Sequence, residues 1–200
     1  MKKTLYLILG ILLLPLALGA QSLPKAEESF AKGDYSSALT QYKQLMQSAT
    51  GEERLHAQLR YAACQYGLGE YLNAAKTIWN YPLPENDLWK ARFLLYRIQI
   101  SDQAASVYRR LLNERQIDSK DAQNDPETWT KDEWESRITQ DYETLWAMRA
   151  ALINAPIERE TLILNIKETD TQRIPTLFDY IVFEWNNRLI SQKSVVPARL

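Results

Sequence analysis

The chain carries one pattern twice, as GDYSSALTQYKQL at residues 33–45 and as GEYLNAAKTI at residues 69–78. Both copies share the frame Gly-x-Tyr-x-x-Ala, which continues to Tyr42 and Leu45 in the first copy and to Ile78 in the second. Gly33 and Gly69 lie 36 positions apart. Two matched frames at this spacing indicate a structural repeat whose units bury their apolar sides against one another.

Each part of the frame has a physical role in a pair of antiparallel helices. The glycine permits the left-handed backbone of the turn, and the alanine lets the two helices approach closely. The tyrosine and the later apolar residue fill the space against the neighbouring unit. The first helices of the two pairs are predicted at residues 25–32 and 52–66, and the prolines of residues 81–84 end the second pair.

A third, degenerate helix pair is predicted at residues 85–98 and 102–114, where Ala104, Tyr108 and Leu111 echo the frame without its glycine. All six glycines fall within the first 69 residues, and the remainder is rich in helix-forming residues with turns at proline and asparagine. These observations predict an all-α fold of stacked antiparallel helix pairs, followed by additional packed helices.

This arrangement resembles the tetratricopeptide repeat, in which a glycine, an aromatic residue and an alanine mark the second helix of each pair. Tyr61 and Ala62 stand where that family has leucine and glycine in the first helix. The resemblance implies a short solenoid over residues 21–115 with an inner groove for peptides or partner helices. It would place Glu27, Phe30, His56 and Tyr66 along that groove; the alternative for each is an ordinary solvated or packing residue.

The second half is predicted to begin with an exposed connection at residues 116–127, followed by a helical region at residues 128–200. Thr130 and Glu133 form a capping box, from which one amphipathic helix is predicted to run to about Asn154. Residues 158–166 are either helix or loop. A last helix, capped by Thr176 and Asp179, is expected to bury one stripe of side chains: Leu177, Phe178, Ile181, Trp185 and Leu189.

Aromatic and acidic residues are dense in this half, and each group has two interpretations. Five of the six tryptophans lie beyond residue 80, where helical spacing favours a packed core over a ligand cage. One predicted helix carries several carboxylates, which favour a solvated surface over an acid–base pair. These carboxylates are Asp132, Glu133, Glu135, Asp141 and Glu143.

Two short strings, DPETW at residues 125–129 and PTLFDY at residues 175–180, resemble the N-terminal helical region of bacterial alpha-2-macroglobulin-like proteins. In that family an exported chain opens with repeat-like helices before the macroglobulin β-domains begin. The family's thioester motif, a Cys followed two residues later by Glu-Gln, is absent, since Cys64 is followed by Gln65-Tyr66-Gly67. The resemblance therefore implies a structural region and assigns no protease trapping to this chain.

The N-terminus has the layout of a secretory signal peptide over residues 1–20: Lys2 and Lys3, an apolar run at residues 5–18, then Gly19 and Ala20. The alternative is an uncleaved anchor, but the apolar run is shorter than the roughly 20 residues of a spanning helix. We expect a periplasmic or secreted chain with no stable membrane span after cleavage. In that oxidising compartment the lone Cys64 is expected to be a buried apolar residue.

Composition argues against most enzymes. The 24 Lys and Arg balance 25 Asp and Glu, which indicates no nucleic-acid partner. One Cys and one His exclude internal disulfides and all-His/Cys metal sites. No phosphate loop or nucleophile elbow is present, and we expect no catalytic activity, cofactor or metal.

Three classes of function remain open. The first is an exported interaction or scaffolding module, the N-terminal region of an alpha-2-macroglobulin-like envelope protein that contacts a protein partner or further domains of its own polypeptide. The second is a free-standing periplasmic adaptor that binds an envelope partner in its groove. The third, a helical hydrolase, would need convergent acids in a pocket that the sequence does not reveal.

Overall fold

A computed structural model describes residues 22–108, 125–166 and 169–193. These residues form eight α-helices and no β-strand, which confirms the all-α prediction. The helices are α1 (Leu23–Ala31), α2 (Tyr35–Ser48), α3 (Gly51–Gly67), α4 (Tyr71–Asn80), α5 (Asp87–Val107), α6 (Lys131–Ala147), α7 (Arg149–Leu152) and α8 (Leu177–Lys193). Within these ranges, no helix combines the length and the apolar character that crossing a membrane requires.

The two repeat glycines form the same turn. Gly33 and Gly69 have positive φ angles of 75° and 79°, as predicted for the residue between paired helices. In each turn the next N–H bonds back to a carbonyl five residues earlier, from Asp34 to Ser29 at 3.0 Å and from Glu70 to Gln65 at 2.9 Å. This bond satisfies a carbonyl that the helix end would otherwise leave unpaired, so the same chemistry ends α1 and α3.

The alanine and the tyrosine of the frame also do what the sequence predicts. Ala38 and Ala74 are fully buried, where α2 packs on α1 and α4 packs on α3. The ring of Tyr35 lies so close to Gly67 that a Cβ at Gly67 would stand 2.7 Å from it. The tyrosine of the first unit therefore packs on the first helix of the second unit. Cys64 is buried in the same region, as expected.

The predicted third pair is wrong, because α5 is one continuous helix of 21 residues. No glycine or proline lies at residues 98–102, so nothing interrupts the backbone hydrogen bonds there. Asn86 caps its start by accepting N–H bonds from Leu88 and Trp89, both at 3.1 Å. Residues 109–114 of the predicted second helix lie outside the described residues.

Helix α5 is the centre of the molecule because it is apolar on two sides. Phe93 and Ile100 pack with α3 and α4 in one hydrophobic cluster. Leu94 and Ile98 pack with α6, α7 and α8 in another. A helix with apolar residues on opposite sides is stable only between two layers, and the repeat units and the C-terminal helices supply them.

The connection before α6 is only partly described, since residues 109–124 are outside the described ranges. Pro126 is buried in a 3₁₀ turn over Pro126–Thr128 that packs on α4, so the prediction of an exposed connection is wrong at this residue. The reason is local packing, because the adjacent Trp129 ring is buried with Trp79 at a centroid distance of 4.9 Å.

The capping box of Thr130 and Glu133 is confirmed at the start of α6, with the Thr130 N–H 2.7 Å from a Glu133 carboxylate oxygen. The prediction of a single helix to Asn154 is wrong, since α6 ends at Ala147 and the chain turns at Met148 (φ −86°, ψ 5°). Neither glycine nor proline marks this break. The turn lets α7 contact α5 and buries Leu152, a tertiary contact that outweighs local helix preference.

Residues 158–166 are turns rather than an α-helix, beginning with a 3₁₀ turn at Ile157–Arg159. Thr176 and Asp179 cap α8 reciprocally, as predicted. Leu177 and Ile181 are buried, but Leu189 is 45% exposed, so the predicted stripe is wrong at its far end. Eight positions after Ile181, Leu189 falls to one side of the covered face of α8.

Candidate functional site

Three of the four residues predicted to line a groove lie together between α1, α2 and α3. The Glu27 carboxylate lies 2.8 Å from His56 Nε2 and accepts two bonds from Arg60, at 2.9 and 3.0 Å. It also accepts a hydrogen bond from the Tyr42 hydroxyl. The Arg60 guanidinium lies 4.2 Å from the centroid of the Phe30 ring. Glu27, Phe30 and His56 thus belong to one cluster with Tyr42 and Arg60, which we call the Glu27 cluster.

The charge of Glu27 is strongly stabilised in this cluster. Burial alone raises its pKa, but hydrogen bonds from His56, Tyr42 and Arg60 outweigh burial and lower the pKa to about 2. Burial and the bond to Glu27 raise the pKa of the Tyr42 hydroxyl. A carboxylate has about four acceptor positions, and these donors occupy most of them. The chemistry of the Glu27 cluster is therefore that of a clamp joining three helices.

The fourth predicted residue, Tyr66, lies on the wall of a cleft instead. The cleft has a volume of about 410 Å³ and follows one side of α5, between α3 and the C-terminal helices α6 and α8. Tyr96, Tyr142 and Tyr180 line it as well. Its size is within the range of ligand-binding clefts in proteins. We call it the α5 cleft.

Tyr96, which lines the α5 cleft, is also influenced electrostatically by Arg60 of the Glu27 cluster. Burial raises the pKa of Tyr96, while the nearby Arg60 guanidinium lowers it. The Tyr96 hydroxyl also donates to the Leu162 carbonyl at 3.3 Å. The Tyr96 hydroxyl is therefore joined to the C-terminal region through Leu162, and its pKa depends on Arg60 of the Glu27 cluster.

The floor of the α5 cleft carries a line of polar side chains from α5. Gln99, Gln103 and Ser106 follow the i, i+4, i+7 spacing of one helix side. Asp102 also lines the cleft, but its carboxylate accepts a bond from Arg188 of α8. The amides of Gln99 and Gln103 can donate and accept, so the floor offers hydrogen bonds to a bound group.

Glu184 is the unusual residue of the α5 cleft. It is half-buried, and none of the described residues forms a hydrogen bond or an ion pair with it. Burial raises its pKa. Arg188, one helical turn later, is bonded instead to Asp102 and Glu135. A half-buried carboxylate without a counter-charge lowers stability, and groups of this kind concentrate at functional sites.

The charge of Glu184 contributes to raised pKa values of two neighbouring tyrosines. Burial and the Glu184 carboxylate together raise the pKa of Tyr180 to about 12. Burial and the same carboxylate raise the pKa of Tyr142. Tyr180 and Glu184 are four residues apart on α8, so one side of this helix presents an aromatic ring and a carboxylate to the cleft.

A second cleft, of about 450 Å³, lies where the start of α5 meets α7. Its strongest charges are already paired, since Arg92 donates to Glu160 at 2.8 and 3.1 Å. Glu160 is only 1% exposed, and the Arg92 guanidinium lies 4.6 Å from the Trp89 ring centroid. This pair joins α5 to the C-terminal region, and Asp87 and Arg159 also line the cleft.

The interpretation of the α6 carboxylates as a solvated surface is wrong at Asp141, which is 2% exposed. Arg97 of α5 donates to it at 2.6 Å and lies 3.8 Å from the centroid of the Trp79 ring. The signal was in the sequence, because Asp141 shares its i, i+3, i+4, i+7 stripe with Ile138 and Leu145. Among the described residues, no group of three or more His, Cys, Asp or Glu side chains is placed to hold a metal ion.

The tryptophans are mainly core residues, as the spacing indicates. Trp129 and Trp134 are almost fully buried, with ring centroids 4.8 Å apart. Trp146 differs, because it is 46% exposed and its ring lies beside the rings of Phe178 and Trp185.

No protein-family model, no curated protein and no solved structure matches this chain.

The sequence patterns predict little of the α5 cleft. They indicate Tyr66 but neither the α5 floor nor Glu184. Two local signals were available: the polar line of Gln99, Gln103 and Ser106 on an otherwise apolar helix, and the Tyr180–Glu184 spacing on α8. Local sequence does not show that these residues line one cleft, since Tyr66 and Glu184 come from distant parts of the chain.

Proposed function

We propose that the chain is a non-catalytic, exported helical-repeat module that binds protein, either a separate partner or further domains of the same polypeptide. The observation that carries this proposal is the open α5 cleft, which offers tyrosine rings, amides and a carboxylate, Glu184, that has no counter-charge among the described residues. Clefts lined by aromatic residues and a few polar groups are the usual place of binding in proteins.

The solenoid part of the proposal rests on how the helices meet. The glycine turns and buried alanines recur in both units, and α3 contacts both α1 and α5 as well as its own partner α4. In a tetratricopeptide-like stack the first helices of successive pairs line the inner groove. Tyr66 of α3 and Gln99 of α5 line the same cleft, which supports the proposal of a solenoid groove closed on one side by the C-terminal helices.

The two strings that resemble the macroglobulin-like family both have structural roles. Trp129, at the end of the first, is buried; in the second, Thr176 and Asp179 cap α8 and Leu177 is buried. These roles support the proposal that the chain is the N-terminal helical region of an alpha-2-macroglobulin-like envelope protein. The alternative is a free-standing periplasmic adaptor that binds an envelope partner in its groove, a role in which the α5 cleft would be the binding site. Export in either case rests on residues 1–20.

Site-specific photocrosslinking in the producing cells tests the proposal. A photoreactive residue replaces Gln99 or Gln103 in the α5 cleft, and Arg149, exposed on α7, is the control position. We expect the cleft positions to give one discrete adduct in the envelope or periplasmic fraction, and the control position to give none. An exported chain that forms neither an adduct nor an internal crosslink of altered gel mobility from either cleft position would contradict the proposal.

The same blot, made with an antibody against residues 21–200, separates the two alternatives. A native band several times larger than this chain supports the N-terminal region of a multidomain protein. A band at the mass of the chain itself supports the adaptor.

A further inference from the structure

Three arginines in the described part of the chain share one arrangement of side chains. Arg60, Arg92 and Arg97 each donate to a carboxylate while the guanidinium lies over an aromatic ring, at 4.2, 4.6 and 3.8 Å from the ring centroid. The three carboxylates belong to Glu27, Glu160 and Asp141, and the rings belong to Phe30, Trp89 and Trp79. Each arrangement therefore combines an aromatic face, a carboxylate and an arginine.

The α5 cleft contains the first two of these parts without the third. Glu184 supplies the carboxylate, and Tyr180, one turn earlier on α8, supplies the ring. Among the residues that the structure describes, the side chains that line the cleft include no arginine, lysine or histidine. Asp102, the other acid of the lining, is bonded to Arg188, which leaves the charge of Glu184 uncompensated within the described residues.

The missing part is best supplied by a guanidinium group. A cation over a tyrosine face is attracted by the ring, and a planar guanidinium can stack on the ring while its N–H groups point at a carboxylate. Its five donors also suit the amide oxygens of Gln99 and Gln103 on the cleft floor. An ammonium group lacks the flat face that stacks on a ring.

We infer that the α5 cleft receives an arginine side chain of the bound protein, with its guanidinium against Tyr180 and paired to Glu184. This inference rests on the proposed function and adds the chemistry of the partner: a segment that presents an arginine. The complex would then complete, between this chain and the bound protein, the arrangement that Arg60, Arg92 and Arg97 form within the chain.

Calorimetric titration with three capped tripeptides tests the inference on the full mature chain. The peptides are acetyl-Gly-Arg-Gly-amide, its citrulline analogue, which keeps the shape without the charge, and its lysine analogue. We expect the arginine peptide to bind at least about tenfold more tightly than the citrulline peptide, with the lysine peptide between them. Equal affinity for the arginine and citrulline peptides would overturn the inference.

Two variants locate the effect. Glu184→Gln should abolish the preference for arginine over citrulline, whereas Glu143→Gln, the same change at an exposed residue of α6, should preserve it. Glu184→Gln removes an uncompensated charge from a half-buried place, so we expect it to fold. A Glu184→Gln protein that still prefers arginine would exclude Glu184 as the partner of the guanidinium.

Two further measurements test whether the guanidinium comes from a protein and whether the Tyr180 ring contributes to binding. Free L-arginine should bind more weakly than the capped tripeptide, and tighter binding of the free amino acid would overturn the assignment to a protein partner. Tyr180→Phe should keep the preference for arginine, since the aromatic face remains, and Tyr180→Leu should reduce it.

Failure of this inference is distinguishable from failure of the proposed function. If the crosslink from Gln99 forms equally well in the Glu184→Gln protein, the cleft binds a partner without an arginine contact. If no crosslink forms in either protein, the proposed function itself fails.

Discussion

The repeat helices α3 and α4 pack on one side of α5 and the C-terminal helices α6–α8 on another, and the two regions are held together by different contacts. The repeat helices follow one another through short turns, and each packs on the next along the chain. The C-terminal helices are tied to α5 by side chains far apart in sequence, such as Arg92 with Glu160 and Arg97 with Asp141. The turns of the first region are specified locally, whereas the second region is positioned on α5 by long-range contacts.

The two regions use the same chemistry at different depths. In the repeat region the Glu27 side chain, paired with Arg60, is 31% exposed. In the C-terminal region the Asp141 side chain, paired with Arg97, is 3% exposed. A charge that has lost its partner is stabilised by water only where water can reach it. Breaking the Arg97–Asp141 pair should therefore lower the free energy of unfolding more than breaking the Arg60–Glu27 pair.

The largest expected effect is that of Asp141→Ala. Removal of this carboxylate leaves the Arg97 guanidinium buried without a counter-charge, and we expect a loss of about 3–5 kcal/mol in the free energy of unfolding. Urea denaturation followed by tryptophan fluorescence measures it. The matched control is the double variant Arg97→Met with Asp141→Leu, which should recover most of the loss. A single-variant loss below about 1 kcal/mol would remove the contrast between the two regions.

The second effect concerns the contact between repeat units. Gly67→Asn would place a Cβ 2.7 Å from the Tyr35 ring, and we expect overpacking to cost about 1–3 kcal/mol. Gly69→Asn is the control, because its left-handed backbone tolerates asparagine and a Cβ there meets no atom within 4 Å. Thermal unfolding ranks the two, and equal losses would show that the ring can move aside.

This pair also shows what local sequence can predict. Gly33 and Gly69 were identified because a helix turn requires their backbone conformation, and α2 and α4 follow from them. Gly67 gave no local signal, since its importance comes from Tyr35, a residue of the preceding unit. In the same way Met148 ends α6 without a glycine or proline, and α5 continues where a repeat was expected to break. Tertiary packing decides these places.

The third effect is a pH dependence that belongs to the repeat region. The pKa of Glu27 falls from its ordinary value of 4.5 to about 2 on folding, so its stabilising contribution is complete above about pH 4.5 and is lost as the pH falls toward 2. Glu27→Gln should cost about 1–2 kcal/mol at pH 7. Urea denaturation at pH 7 and at pH 2.5 should show the difference from the native protein shrinking at the lower pH. Glu143→Gln, at an exposed residue, should show no such convergence.

The smallest expected effect lies on α8, where the sequence predicted burial and the structure exposes the side chain. Leu189→Ala should change the free energy of unfolding by no more than about 0.5 kcal/mol, because alanine and leucine both favour helix and the Leu189 side chain is 45% exposed. Ile181→Ala, on the covered side of the same helix, should cost about 2–5 kcal/mol. Both changes lie on the same helix and are measured by the same method. The difference between the two losses in the free energy of unfolding therefore reports mainly how deeply each side chain is buried. If Leu189→Ala instead costs more than about 1 kcal/mol, this side of α8 is covered in solution, and the helical periodicity predicted its burial correctly.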